Sequence, residues 1–189
     1  MYLIKNAKIY APEYLGILDV LIGGGKILKI AKDLPAESAY DVEVIDGTGK
    51  ILFPGLIDAH VHILGGGGEG GAKTRTPEQI TFSSDGRGSL PVFAPDGTFL
   101  GLGVGKVTSM YREMKDAVLK DGVSMTDALK PVTSNPAKLL KLEHKGKIAE
   151  NADADLVLAE EETLELLSVF AKGNLMIHEK EVLVKGTFE

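Results

Sequence analysis

The sequence predicts an α/β protein in which two β-rich chain ends flank a central helical region. Residues 1–54 and 143–189 contain short apolar segments separated by glycine-containing turns, which is the pattern of strands. Between them, apolar residues recur at helical spacing. Because the two β regions are similar in character, we expect them to pair in one β-sandwich domain.

The strands are predicted from apolar runs and from the turn residues that separate them. In the N-terminal region they cover 2–10, 17–22, 26–31, 42–46 and 51–53. The turns Gly23-Gly24-Gly25 and Asp46-Gly47 indicate hairpins, so we expect an antiparallel sheet. In the C-terminal region the predicted strands cover 146–148, 154–159, 164–171, 174–177 and 181–185.

Three helices are predicted in the central region. The first covers 106–120, where five apolar residues share one helical face: Val107, Met110, Tyr111, Met114 and Val118. The second covers 124–130, with Ser124 as N-cap and Asp127 at the third position. The third covers 137–142, after Asn135-Pro136.

Composition limits the classes of function. The chain has 189 residues, 44% hydrophobic and 25% charged, as in soluble globular proteins. A net charge of −6 gives no electrostatic reason to expect nucleic acid or an anionic membrane as partner. There is no cysteine, which excludes disulfides and thiolate metal sites. No apolar run has the length of a membrane span or the character of a signal peptide, so a cytoplasmic protein is expected.

One junction combines conflicting local signals. Thr76-Pro77-Glu78-Gln79 carries an N-cap threonine, a proline at the first helical position and a glutamine at the third, which predict a helix start. The β-branched and aromatic residues 80–82 and the turn residues 83–86 follow at once and stop any helix. This conflict suggests that two originally distant segments meet near Gln79 and Ile80.

The most informative motif is the apolar run that ends in His60 and His62. In a strand, residues two apart point to the same side, so both imidazoles are predicted to face one way. Neutral imidazole is a common ligand of zinc and similar metals. For an isolated pair of this kind a half-buried polar pair is the simpler interpretation, but the preceding residues favour half of a catalytic metal site.

Those preceding residues resemble the first barrel strand of the amidohydrolase superfamily. The matching motif is Pro54-Gly-Leu-Ile-Asp-Ala-His-Val-His62. Four further segments resemble the isoaspartyl (β-aspartyl) dipeptidases within that superfamily: 65–70, 74–77, 83–86 and 185–189. The glycine-rich segment 65–70 fits these dipeptidases better than it fits dihydroorotases or hydantoinases.

This resemblance implies an amidohydrolase-type (β/α)8 barrel with a small β-sandwich built from both chain ends. Such a barrel takes roughly 250 residues, whereas 55–142 supplies about a third of that, so only the first and last barrel units are expected here. We therefore predict a sandwich domain over 1–54 and 143–189 and a partial barrel over 55–142, joined near 79/80. Either the central segment is truly deleted, or this sequence omits it.

The resemblance also implies roles for individual residues. His60, His62 and Asp85 are implied metal ligands, and Asp85 also accepts the proton of the attacking water. Without the resemblance, the Asp85-Gly86 pair is more simply a turn, and the glycines 65–68 are more simply a flexible loop. By resemblance, Gly67, Gly68, Glu69 and Ser89 contact the substrate, with Glu69 pairing with its ammonium group.

The implied function is metal-dependent hydrolysis of isoaspartyl dipeptides, with two zinc ions in a complete site. His60, His62 and Asp85 complete at most one weak site, so a protein of only these residues is expected to have little peptidase activity. The alternative is a non-catalytic β-sandwich remnant that self-associates. Exposed faces of strands and helices that normally close a barrel favour a homo-oligomer.

Overall fold

The computed structural model describes residues 1–36, 41–59 and 76–185. Its main feature is one nine-stranded sheet that joins the two ends of the chain. The N-terminal strands are β1 (Tyr2–Tyr10), β2 (Tyr14–Gly23), β3 (Lys26–Ala31), β4 (Glu43–Asp46) and β5 (Lys50–Pro54). The C-terminal strands are β8 (Leu156–Glu160), β9 (Leu166–Ala171), β10 (Asn174–His178) and β11 (Glu181–Val182).

The strand order is β11-β10-β9-β8-β5-β1-β2-β3, and β4 also pairs with β1. The two chain ends meet where β5 pairs antiparallel with β8, from Lys50↔Glu160 to Pro54↔Leu156. The expected pairing of two β regions therefore takes the form of one continuous sheet among the described residues.

The prediction of a purely antiparallel sheet was wrong on one side of β1. Both β4 and β5 run parallel to β1, with Leu3 beside Val44 and Ile9 beside Leu52. The Asp46-Gly47 turn therefore offsets the chain along the edge of β1 instead of reversing it. Gly47 is required there because a Cβ would lie 2.7 Å from both the Ala7 Cβ and the Lys5 carbonyl oxygen.

The helices fall where periodicity and capping residues predicted them, with shifted ends. They are α1 (Ser109–Leu119), α2 (Met125–Leu129) and α3 (Ser134–Leu139), and a 3-10 turn at Lys130–Val132 links the last two. The Ser124 hydroxyl caps α2 by accepting the Asp127 N–H at 3.1 Å. Pro136 lies in the first turn of α3, where backbone N–H groups need no helical partner, so α3 begins before this proline.

The strand predicted at 146–148 is absent. Gly146 has a φ of +69°, and a Cβ there would lie 2.5 Å from the Thr133 carbonyl oxygen. This left-handed glycine turns the chain against the helical region, and Ile148 is buried in the core as part of a loop.

Two apolar clusters lie on opposite faces of the central strands. Leu52, Leu156 and Leu158 face the first cluster, which is built mainly from β1, β2 and the loop before β8. Ile51, Phe53 and Val157 face the second, which includes Met114 and Leu129 of the helices. Because side chains alternate along a strand, β5 and β8 contribute side chains to both clusters. Their residues in the second cluster pack the helical region against the sheet.

A separate two-stranded sheet was not predicted. It consists of β6 (Ser89–Phe93) and β7 (Phe99–Val104), paired antiparallel. The signal was present in the sequence as two uncharged apolar runs around Asp96-Gly97, a typical hairpin turn.

Candidate active site

The candidate site is organised by Asp58, which joins two segments that are distant in sequence. Its Oδ1 accepts a hydrogen bond from the Ser83 hydroxyl at 2.7 Å. Its Oδ2 accepts hydrogen bonds from the Ser84 N–H at 3.1 Å and from the Ser84 hydroxyl. The segment that leads into His60 is thereby held directly against the residues that precede Asp85.

The two serines also hydrogen-bond to the turn that carries Asp85. The Ser83 hydroxyl accepts the Asp85 N–H at 3.3 Å, and the Ser84 hydroxyl accepts the Gly86 N–H at 3.0 Å. Ser84 is itself buried. Both hydroxyls therefore connect the Asp58 carboxylate to the backbone on which Asp85 sits.

Asp85 occupies a tight turn with a left-handed backbone. Its φ is +44°, a region in which aspartate is enriched among non-glycine residues. The Gly88 N–H donates to the Asp85 carbonyl oxygen at 2.8 Å, which closes the turn. The expected Asp85-Gly86 turn is thus present, and the implied metal ligand Asp85 is part of it.

Glycines pack closely around Asp85. A Cβ at Gly88 would lie 2.4 Å from Asp85 Oδ2, and one at Gly105 would lie 2.7 Å from the Asp85 carbonyl oxygen. The Gly105 N–H also donates to the Gly88 carbonyl oxygen at 2.8 Å. Any side chain at Gly88 would therefore displace the Asp85 carboxylate.

The 3-10 turn of the helical region hydrogen-bonds to both segments of the site. The Ile57 N–H donates to the Val132 carbonyl oxygen at 2.8 Å, and the Phe82 N–H donates to the Pro131 carbonyl oxygen at 3.0 Å. Consecutive carbonyl groups of the 3-10 turn thus fix the chain on each side of the site. The strand expected to run into His60 ends at Pro54, and beyond it the Ile57 N–H bonds to the 3-10 turn instead of to a neighbouring strand.

The predicted junction near 79/80 is held by side chains of the same region. The helix start at Thr76 yields a single 3-10 turn, Pro77–Gln79. Asn135 Nδ2 donates to the Pro77 carbonyl oxygen at 2.6 Å and to the Ile80 carbonyl oxygen at 2.7 Å. The Lys130 ammonium, 2.6 Å from Glu78 Oε1, is the main cause that lowers the pKa of Glu78 to about 2.

A cavity of about 420 Å³ lies next to the site segment Gly55–Ile57. Its walls are mostly apolar and include Tyr111, Val169 and Phe170. Burial raises the pKa of Tyr111 to about 12, and its hydroxyl donates to the Leu164 carbonyl oxygen at 2.8 Å. This cavity therefore lies between β9, α1 and the site segment.

Only two of the predicted site residues lie in the described part of the chain. Asp85 lies in the turn, and Ser89 begins β6, where it is exposed and pairs with Val104. His60, His62, Gly67, Gly68 and Glu69 lie outside the described residues, so their roles stay predictions. Within 1–36, 41–59 and 76–185, no group of three histidine, aspartate or glutamate side chains could hold a metal ion.

Asp58 is the functional candidate that the sequence reasoning missed. It was read only as part of the histidine motif, yet it lies two residues before His60. The two-residue alternation used for His60 and His62 predicts Asp58 on the same side as well, although the described strand ends at Pro54. That spacing was the available signal.

Comparison with known proteins identifies the family. A model of the amidohydrolase family matches residues 67–187, which is more than half of the chain. The chain therefore belongs to the amidohydrolase family, as the motif at 54–62 predicted. None of its described helices is long and apolar enough to cross a membrane.

Curated relatives match a shorter stretch. The dihydroorotase of Bacillus cytotoxicus is 48% identical over 69 residues, which is 36% of this chain and 15% of that protein. The dihydroorotase of Bacillus thuringiensis is 44% identical over 69 residues, with the same coverage. The chain thus spans about 15% of the length of these relatives.

Solved structures match the fold over almost the whole chain. The β-aspartyl dipeptidase of Fervidobacterium islandicum AW-1, in complex with the β-Asp-Leu dipeptide, has a TM-score of 0.79 and 20% identity over 98% of each chain. The N-acetylglucosamine-6-phosphate deacetylase of Pasteurella multocida has a TM-score of 0.66 and 11% identity, covering 94% of this chain and 100% of that one. These likenesses establish an amidohydrolase-type α/β fold.

Proposed function

We propose that this chain carries a hydrolase site for isoaspartyl dipeptides, formed around His60, His62 and Asp85. The observation that carries the proposal is the set of hydrogen bonds from Ser83 and Ser84 to Asp58. These bonds hold Asp58, two residues before His60, against the turn that carries Asp85, which supports a site that contains His60, His62 and Asp85.

The donor set fits a divalent metal. Two imidazoles and one carboxylate are the ligand types that zinc takes in catalytic sites. When bound, the metal supplies a Lewis acid that polarises the scissile carbonyl and acidifies a water molecule. A complete site would hold two zinc ions, whereas His60, His62 and Asp85 alone would hold one ion weakly.

The chain's own residues handle the proton and the substrate. The Asp85 carboxylate accepts a proton from the attacking water and donates it to the leaving amine, so that one water is added across the C–N bond. Glu69 pairs with the substrate ammonium, and Gly67, Gly68 and Ser89 contact the rest of the dipeptide. The fixed turn around Asp85 supports this role because a proton acceptor must be held in position.

A protein of only these 189 residues is proposed to retain little of this activity, because the residues for a second metal are missing. Dihydroorotase activity is a second candidate, favoured by the 48% identity over 69 residues. The non-catalytic alternative, a self-associating remnant of an amidohydrolase, predicts neither zinc binding nor turnover. The catalytic proposals include a cytoplasmic setting, which the lack of cysteine in the 189 residues supports.

The test is zinc binding by calorimetry, after intact-mass measurement has established which polypeptide is present. We expect His60→Asn, His62→Asn and Asp85→Asn each to weaken zinc binding by about tenfold or more. Matched controls are His144→Asn and His178→Asn for the histidines, and Asp96→Asn, in another Asp-Gly turn, for Asp85. Zinc binding that is equal in the site variants and the controls would refute the site.

Turnover separates the candidate functions. We expect the 189-residue protein with added zinc to hydrolyse β-Asp-Leu barely above background and to show no dihydroorotase activity. Rapid metal-dependent hydrolysis of β-Asp-Leu would contradict the proposed impairment while supporting the substrate class. Dihydroorotase turnover without β-Asp-Leu hydrolysis would favour the second candidate.

A further inference from the structure

The β6–β7 hairpin is the most exposed apolar feature of the described chain. Leu100, Leu102 and Val104 are 65%, 69% and 71% exposed, and Phe93 and Phe99 are 57% and 56% exposed. The hairpin is a sheet of its own, and neither strand packs extensively against another described strand or helix. A lone two-stranded hairpin is marginally stable in water and needs a packing partner.

Most of the apolar side chains lie on one face. Pro91 is opposite Leu102 and Phe93 is opposite Phe99, and side chains of directly opposite residues share a face. In β7, Leu100, Leu102 and Val104 alternate with Gly101 and Gly103, so large side chains occupy one side and glycines the other. A register shift between Val92 and Phe93 brings Phe99 opposite Phe93, so Phe99 lies on the large side together with its neighbour Leu100. We call the large side the hairpin face: Pro91, Phe93, Phe99, Leu100, Leu102 and Val104.

The chemistry of the hairpin face favours a second copy of this chain. Neither β6 nor β7 contains a charged residue, so two copies can meet across a two-fold axis without like charges opposing each other. Edge strands are normally protected by charges, in particular lysine, and none is present in these two strands. The two phenylalanine rings, 5.8 Å apart at an interplanar angle of 65°, provide a large aromatic anchor.

The available area suits a weak, specific dimer. The hairpin face exposes on the order of 600 Å² of apolar surface, so two copies would bury about 1,200 Å², the lower end of the standard interface range. We infer that the chain forms a two-fold dimer by packing the hairpin face of one copy on that of another. The inference uses only the exposed side chains of the hairpin and requires neither zinc binding nor turnover, although β6 begins at Ser89, a proposed substrate contact.

The first test is light scattering with size exclusion over a range of protein concentrations. We expect the protein to approach twice its mass of 20.1 kDa at high concentration, and Leu102→Glu to raise the dimer dissociation constant at least about tenfold. The matched control is Leu139→Glu, on α3, where the leucine is 58% exposed. It should dimerise like the unmodified chain, and circular dichroism should show that both variants are folded.

A second test uses the absence of cysteine from the chain. Leu102→Cys should form a disulfide-linked dimer under mild oxidation, whereas Leu139→Cys should remain largely monomeric. A monomer at all concentrations, a dimer unaffected by Leu102→Glu, or a heterogeneous series of larger species would each overturn the inference.

Discussion

At the scale of single residues, Asp58 is the main organiser of the candidate site. One carboxylate accepts hydrogen bonds from the Ser83 hydroxyl and from the N–H and hydroxyl of Ser84. Ser84 is buried, so loss of its acceptor leaves a polar group without its protein partner. The order of the Asp85 turn therefore depends on a residue two positions before the first histidine.

We expect Asp58→Ala and Ser84→Ala each to lower the free energy of unfolding by on the order of 1 kcal/mol. Because both remove the hydrogen bond between the Ser84 hydroxyl and Asp58, the double variant should cost less than the sum of the two single variants. Urea unfolding of the four proteins measures this cycle. Strictly additive losses would show that the contact contributes nothing.

At the scale of elements, ion pairs fix the loop before β8 to the β3 edge of the sheet. Asp153 lies 2.5 Å from the Lys26 ammonium and 3.0 Å from that of Lys145. Backbone hydrogen bonds accompany this network. The Ile27 N–H donates to the Ala152 carbonyl oxygen, and the Asn151 N–H donates to the Ile27 carbonyl oxygen. The loop completes the first apolar cluster through Ile148, Ala152 and Ala154.

This network predicts a pH dependence of stability. The hydrogen bonds from Lys26 and then Lys145 lower the pKa of Asp153 from its ordinary value of 3.8 to about 2. A lowered carboxyl pKa contributes stability that is fully present above about pH 5 and is lost as the pH falls towards about 2. Asp153→Asn should therefore cost about 1 kcal/mol at neutral pH, after allowance for solvent screening.

The measurement is urea unfolding of both proteins between about pH 5 and pH 2. The stability difference between the unmodified protein and Asp153→Asn should shrink towards the acid end. Asp121→Asn, an exposed aspartate after α1, is the control and should leave the pH profile unchanged. A difference that is constant with pH would contradict the assigned role of Asp153.

At the scale of the whole molecule, β5 and β8 hold the protein together. They join the chain ends and separate the two apolar clusters, with Leu52 on one face and Phe53 on the other. Both side chains are fully buried. Loss of packing in these strands affects the sheet and the helical region together.

We expect Leu52→Ala to lower the free energy of unfolding by about 2–5 kcal/mol, because it leaves a cavity in the first cluster. Leu139→Ala, an exposed leucine on α3, should change it by less than about 0.5 kcal/mol. Chemical denaturation followed by circular dichroism measures both. Similar losses in the two variants would contradict the central position of β5.

The sequence alone determined the local elements and the family. Alternation and turn residues located the main strands, the 3.6-residue period located α1, and the motif at 54–62 predicted the amidohydrolase family. These features depend on residues that are neighbours in the chain, so they can be predicted from the sequence. The hairpin at 89–104 was missed although its Asp-Gly turn carried the same kind of local signal.

Tertiary structure decided which strands pair and what anchors the site. The parallel pairing of β4 and β5 with β1 depends on the close approach of Gly47 to Ala7, which no local pattern encodes. The contact between Asp58 and Ser84 joins residues 26 positions apart. Propensity and periodicity depend only on the residues within one segment. Strand pairing and the anchoring of the site depend on groups from distant segments, which only folding brings within hydrogen-bonding distance.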